Sequence, residues 1–260
     1  MIIDFHAHIY PAKIAEKASK NIGLFYNTQM CYDGSPEKLL ESGRKIGVEK
    51  YIVHSTATVA HQVEAINNYI ISEVNLHKEF VGFGTIHPDY EDFENELKRI
   101  KSLGLRGIKL HPDFQKFQVD TPGMDDVYEV IAELKMPVLV HAGDYRYDFS
   151  GPKRILHVLE KHPSLIVVAA HFGGYTEWDN AMEYLVGQRV WFDTSSTLWK
   201  LPVEKADGMI KAHGFEKFLF GSDYPMWDHE DELKRFLRLS LSPEEREAIL
   251  YKNAEKLLAE

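Results

Sequence analysis

Short runs of aliphatic, β-branched and aromatic residues recur along the whole chain, at Ile2–Phe5, Tyr51–Val53, Val81–Ile86, Leu105–Leu110, Pro137–Val140, Leu165–Ala170, Val190–Asp193 and Phe218–Phe220. Runs this short and this apolar suit strands buried on both faces. Between them, apolar and charged residues mix at helical spacing over Pro36–Ile46, His61–His77, Phe93–Leu103, Met124–Leu134, Gly151–Lys161, Thr176–Val186 and Val203–His213. Glu230–Leu239 and Pro243–Leu258 close the chain with the same pattern. Ser35 is placed as an N-cap for the helix starting at Pro36, and Gly47 as its stop. The stretch between the first run and Ser35 reads as one long loop.

Eight strand-like runs alternating with helices predict a parallel sheet. Eight units in 260 residues favour a closed (β/α)8 TIM barrel over an open doubly wound sheet. A dinucleotide fold would want G-x-G-x-x-G after an early strand, and Gly82-Phe83-Gly84 lacks the third glycine and the helix start. No linker, low-complexity tract or composition shift divides the chain, so residues 1–260 read as a single domain. Thr85-Ile86-His87-Pro88-Asp89-Tyr90 and Lys109-Leu110-His111-Pro112-Asp113-Phe114 echo each other one βα unit apart. In each, proline pushes the preceding histidine toward an extended conformation, where a strand meets its loop.

The formal net charge is −10, and no basic stripe points to nucleic acid as a partner. The longest strongly apolar run, Leu165–Ala170, is far too short for a membrane span. Cys31 is the only cysteine, which rules out an intrachain disulfide and fits a reducing, cytoplasmic setting. The N-terminus carries no signal-peptide pattern. A small-molecule substrate is the expected partner, and a homodimer is compatible with a barrel of this size.

The chemistry lies in where the histidines fall. His6 and His8, two apart on a strand, share one face, and paired neutral imidazoles suit a divalent metal such as zinc. His6-Ala7-His8 alone equally describes two surface histidines. Barrel active sites, however, lie at the C-terminal ends of the strands, and six of the eight proposed strands run into histidine there: His6/His8, His54, His87, His111, His141 and His171. The eighth runs into Asp223. In a closed barrel the first and last strands are neighbours, so Asp223 would stand beside the paired histidines.

The ordered segments Asp4-Phe5-His6-Ala7-His8, Gly107-Ile108-Lys109-Leu110-His111-Pro112, Val140-His141-Ala142-Gly143, Ala170-His171-Phe172-Gly173-Gly174 and Gly221-Ser222-Asp223-Tyr224-Pro225 resemble the amidohydrolase superfamily. The resemblance is to its amidohydrolase-2 branch, which includes aminocarboxymuconate-semialdehyde decarboxylase-like enzymes. Asn253-Ala254 with Leu257-Leu258 is similar to the usual ending of that branch, so the likeness spans essentially the full chain. It implies that His6, His8, His141 and Asp223 are metal ligands. It further implies that His171 either ligates a second metal or acts as acid/base beside a single one. Lys109 stands where some members carry a carbamylated lysine bridging two metals; unmodified, it would offer a cation to a substrate carboxylate. One ion is favoured over two, with zinc first, and Lys109 and His171 are the candidates for a second.

In the fifth loop, Gly143-Asp144-Tyr145-Arg146-Tyr147-Asp148-Phe149, Arg146 offers a bidentate clamp for a carboxylate. Tyr145, Tyr147 and Phe149 offer walls for a planar substrate. The alternative is a surface loop with Arg146 paired to Asp144 or Asp148. Lys109 and His111 share a face and join Arg146 and Tyr145 as substrate-binding candidates. Trp199 and Trp227 are wall or packing residues. Phe25-Tyr26 and Met30-Cys31-Tyr32 are placed as a lid, and Cys31, with no base beside it, is not a nucleophile.

The activity expected is metal-dependent hydrolysis of an amide, ester or lactone in a small carboxylated molecule. Asp223 would share ligation with proton transfer, and His171 would orient the water or stabilise the developing oxyanion. The same residues would serve non-oxidative decarboxylation of an unsaturated or aromatic acid. A non-catalytic metal-binding protein on an enzyme scaffold is a third reading, and a lactonase needing no metal is a fourth.

Overall fold

The computed structural model describes residues 1–259. Eight strands form one parallel sheet in chain order: β1 (Ile2–His8), β2 (Val48–His54), β3 (Phe80–Thr85), β4 (Gly107–Leu110), β5 (Val138–Val140), β6 (Val167–Ala169), β7 (Trp191–Asp193) and β8 (Phe218–Leu219). The sheet curls back on itself. Phe5 N donates to Phe220 O at 2.8 Å, Asp223 N to His6 O at 2.9 Å and His8 N to Tyr224 O at 2.7 Å, joining the end of β8 to β1. Helices alternate with the strands, so the architecture is the TIM barrel predicted.

Residues alternate between two apolar clusters, as the period of two requires. Ile3, Phe5, Ile52, Phe83, Leu139, Val168, Ala170, Trp191 and Leu219 meet inside the barrel. There Phe5 and Phe83, from strands that are not neighbours, pack edge to face with centroids 5.7 Å apart. Tyr51, Val53, Ile108, Leu110, Val138, Val140 and Phe218 pack in a second cluster with the helices. The register of β1 on β2 shifts twice, first between Ile2 and Ile3 and again between Asp4 and Ala7. Asp4 pairs with Tyr51, but the next pairing is Ala7 with Val53, three steps on β1 against two on β2. This bulge lets adjacent residues Phe5 and His6 both serve the interior, Phe5 in the apolar floor and His6 at the rim.

Several boundaries differ from the sequence pattern. β1 runs to His8 rather than ending at Phe5, and β2 begins at Val48 rather than Tyr51. β4 starts at Gly107, and β6 is limited to Val167–Ala169. The predicted long loop contains a helix, α1 (Ala15–Tyr26). Its buried residues are Ala15, Ser19 and Gly23. A face of small residues gives no hydrophobic periodicity to read. Ser35 stands at the N-cap position, but its hydroxyl donates to Asp33 Oδ1 at 2.7 Å and does not cap the helix Pro36–Arg44. The closing stretch is helical from Pro243 to Ala259, with a π-helical turn at Ala248–Lys252. Among the described residues, no helix is long and apolar enough to cross a membrane.

Candidate metal centre

Beyond the bulge, His6 and His8 turn their imidazoles to the same side of β1. Their Nε2 atoms lie 3.2 Å apart. Asp223, in the loop after β8, places Oδ1 3.4 Å from each of them. Two donors about 2.1 Å from one ion, at the tetrahedral angle, lie about 3.4 Å apart, so the three atoms have the spacing of a coordination set. Asp223 takes a left-handed φ of 58°, as does His171 at 61°. Such backbone is uncommon outside glycine and clusters at functional sites.

Each donor is fixed from behind. His6 Nδ1 lies 2.8 Å from Asp193 Oδ2, at the end of β7. The carboxylate takes the ring N–H, which leaves the lone pair on Nε2 facing the rim. Asp193 Oδ1 accepts from His171 N at 3.0 Å and from Ser195 N at 3.0 Å. Asp223 Oδ2 accepts from the Ser196 hydroxyl, which itself accepts from Trp227 Nε1 at 2.8 Å. Burial lowers the pKa of His6 and His8, with Lys109 adding to the effect. Burial alone would raise Asp223, but the rings of His6, His8 and His171 outweigh it and hold the carboxyl well below its usual range. Neutral imidazole nitrogens and an ionised carboxylate oxygen therefore face one another, which is the donor set of a divalent cation.

Lys109 is fully buried, with Nζ 3.0 Å from His6 Nε2. Burial lowers its pKa to about 8, against the pull of Asp223 and Asp193. His54, at the end of β2, packs its ring on His8 and His6 with centroids 4.4 and 5.1 Å away.

Across the rim, His141 Nδ1 lies 3.0 Å from His171 Nε2. His171 Nδ1 is held by the Ser195 carbonyl at 3.0 Å. His111 is sandwiched between His141 and Phe114, with centroids 4.1 and 3.8 Å away. Its Nε2 lies 3.0 Å from the Tyr26 hydroxyl at the end of α1. Asp113 Oδ2 stands 3.5 Å from His141 Nε2. Burial, then Asp144, pushes the Asp113 carboxyl up to about 7.

His8, His111, His141, His171 and Asp223 line one cavity, walled by Ile22, Tyr26, Met30, Phe114, Tyr175, Pro225 and Met226. The space open to the centre of a water molecule is about 20 Å³, enough for one water. The α1 segment supplies Ile22 and Tyr26 to the cavity wall.

The fifth loop takes the second of its two expected arrangements, with Arg146 paired to Asp144. Arg146 is occupied: its Nε donates to Asp144 Oδ1 at 2.8 Å, its Nη2 to Asp144 Oδ2 at 2.5 Å and its Nη1 to Phe25 O at 2.7 Å. Tyr145 is 73% exposed, and neither it nor Arg146 lines the cavity. The reason is local: Asp144, wholly buried two residues away, captures the guanidinium. His87 also stands apart, its Nδ1 accepting from Asp89 N at 3.2 Å. Trp199 and Trp227 pack together, with centroids 5.7 Å apart, outside the cavity lining. Burial raises the Cys31 thiol pKa. The sequence pattern passed over Asp193, Ser195 and Asp113. Asp193 was within reach of the rule that found the histidines, since it closes its strand as they do.

A family profile described as "Amidohydrolase" matches residues 3–259. An uncharacterized TIM-barrel protein from Bordetella bronchiseptica is 21% identical, with a TM-score of 0.78 over 99% of this chain and 98% of that one. A dihydroxybenzoic acid decarboxylase from Polaromonas, with bound manganese and the inhibitor 2-nitroresorcinol, is 15% identical, with a TM-score of 0.75 over 99% and 96%. A structure described as a "probable 2-pyrone-4,6-dicarboxylic acid hydrolase", from Acinetobacter baumannii with citric acid bound, is 20% identical, with a TM-score of 0.73 over 100% and 99%. At these identities the structures speak for the fold. A comparison with curated proteins finds no match.

Proposed function

This chain belongs to the amidohydrolase family, and from that premise we propose that it is a metal-dependent hydrolase of a C–N or C–O bond, with water as nucleophile. The substrate class is a small carboxylated amide, ester or lactone. The observation that carries the reading is the convergence of His6 Nε2, His8 Nε2 and Asp223 Oδ1 at 3.2 to 3.4 Å beside His171. His6, His8 and Asp223 would hold the ion, with His141 from the facing wall. One ion, zinc first, is the proposal; a second would fall to Lys109 and His171. A divalent cation there lowers the pKa of water and polarises a carbonyl.

The chain's own groups supply the rest. The Ser195 carbonyl fixes the N–H of His171 at Nδ1, so its Nε2 lone pair, 3.0 Å from His141 Nδ1, would take a proton from water once His141 is drawn to the ion. Asp223, ionised and tied through Oδ2 to Ser196, shares the proton traffic through Oδ1. Lys109, buried behind the cavity with Nζ 3.0 Å from His6 Nε2, would lend its charge to a substrate carboxylate only once the site opens. Closure by Tyr26 and Met30 excludes bulk water.

Decarboxylation of an aromatic acid is the second reading, favoured by the aromatic and apolar walls of Tyr26, Phe114, Tyr175 and Met226. The dihydroxybenzoic acid decarboxylase of the same fold lends it support. A panel of amides, esters, lactones and carboxylated aromatics, offered to protein loaded with zinc or manganese, tests the two. Hydrolysis without carbon dioxide release is expected. Carbon dioxide release without hydrolysis would select the second reading, and full loading with no turnover of any class would favour a non-catalytic role.

A further inference from the structure

His54 closes β2 one strand over from the His6–His8 pair. Its side chain has no exposure to solvent. Neither Nδ1 nor Nε2 has a hydrogen-bond partner. The other inward histidines each have at least one ring nitrogen engaged, although His111 Nδ1 and His141 Nε2 are also unpartnered. His6 has Asp193 on its far nitrogen, and His171 has the Ser195 carbonyl. Even His229, buried elsewhere, spans Ser42 and Asp4. A neutral imidazole carries one N–H and one lone pair, and buried polar atoms are normally satisfied. His54 is left with a lone pair that no protein group meets.

What lies next to it are the two imidazoles of the metal centre. The His54 ring stands edge to face with His8 at 88° and at 67° to His6. One ligating nitrogen from each of His6, His8 and His54 falls within 4.8 Å of the others. Ligands about 2.1 Å from a common ion are separated by up to about 4.2 Å when they lie opposite one another. The His54 nitrogen would have to close only the difference between these two spacings to enter the set. His54 does not line the cavity, so substrate contact does not account for it.

We propose that His54 is a further ligand of the ion held by His6, His8 and Asp223. This rests on the metal-centre reading above and deepens it. It assigns a ligand from the second strand, which the motif set does not include. A bound ion would meet the stranded lone pair of His54, and His54 would add a nitrogen to the ligand set.

Equilibrium binding of Co²⁺ to wild-type, His54→Gln and His87→Gln proteins tests it, with the visible absorption of the bound ion as a second readout. His87→Gln serves as the control, because His87 lies outside the centre. His54→Gln should raise the Kd at least about tenfold, the lower range for losing even an orienting contact to a ligand. It should also change the absorption bands, while His87→Gln alters neither. Wild-type protein that loads normally, with His54→Gln loading equally and showing the same spectrum, overturns this inference alone. Wild-type protein that takes up no ion overturns the metal-centre reading and this one with it. Should His54→Gln fail to fold, anomalous diffraction from the loaded wild-type protein decides the matter. An ion about 2.1 Å from a His54 nitrogen is the expected result, and one with no contact to His54 overturns it.

Discussion

His6 Nδ1 and Asp193 Oδ2 lie 2.8 Å apart, tying the first strand of the barrel to the seventh. The contact decides which nitrogen of His6 faces the rim. With the ring proton drawn to Nδ1, the Nε2 lone pair is aimed at His8 and Asp223 before any ion arrives. Asp193 is well placed for this, because its second oxygen is itself held by His171 N and Ser195 N. One buried carboxylate thus orients His6, the proposed ligand, and anchors the loop that carries the acid/base candidate.

Asp193→Asn should therefore weaken metal binding by about 10- to 100-fold without unfolding the protein, since a carboxamide can present its N–H₂ to His6 and favour the wrong tautomer. Competition with a chromogenic chelator measures the change, and circular dichroism checks the fold. An unchanged affinity would remove Asp193 from its orienting role.

Removal of His6 or Asp223 is the more severe perturbation. His6→Ala and Asp223→Ala should each abolish both bound metal and turnover, as should exhaustive chelation of the wild-type protein, with activity restored by added divalent ion. Metal analysis beside an activity assay checks this. A chelated protein that still turns over a lactone would point to chemistry needing no ion.

The barrel was legible in the sequence because its strands are short apolar runs at regular intervals, and because histidines mark where those runs end. His6, His8, His141, His171 and Asp223 stood out for that reason. Helix α1 did not, since Ala15, Ser19 and Gly23 bury a face with no large apolar residue on it. The bulge between Asp4 and Ala7 was equally hidden, because it depends on pairing with β2 and leaves no mark in a single strand. For Arg146 the sequence left a substrate clamp and a pairing with Asp144 or Asp148 both open, and the wholly buried Asp144 shows where its charge is spent.

Asp113 offers a test of electrostatics that needs no ion. Burial, with Asp144 adding to it, pushes its carboxyl up to about 7. Between the ordinary carboxylate range and that value the native state holds a proton that the unfolded chain has released. Stability therefore falls as pH rises through this window, and the ionised form carries the cost above it. Asp113→Asn should remove the penalty, stabilising the metal-free protein at pH 8.5 relative to wild type by roughly 1–4 kcal/mol more than at pH 4. Urea denaturation at the two pH values reads the difference. Equal effects at both would show that Asp113 is ionised throughout.

Arg146 is the residue for which the sequence pattern left two roles open that give opposite predictions. A substrate clamp needs free N–H donors facing the cavity. Here the donors go to Asp144 and to the Phe25 carbonyl in the last turn of α1, and the guanidinium lies 4.6 Å from the centre of the Phe25 ring. Arg146 thus fastens the segment that closes the cavity. Arg146→Ala should speed amide hydrogen exchange across Ala15–Tyr26 and alter KM for neutral and acidic substrates by the same factor, with metal content unchanged. The Asp144 carboxylate, left buried without its partner, should also lower the melting temperature. Exchange measured by mass spectrometry, set beside KM for a matched pair of substrates differing by one carboxylate, separates the two accounts. A rise in KM confined to the acidic substrate, with exchange in α1 unaltered, would return Arg146 to the substrate.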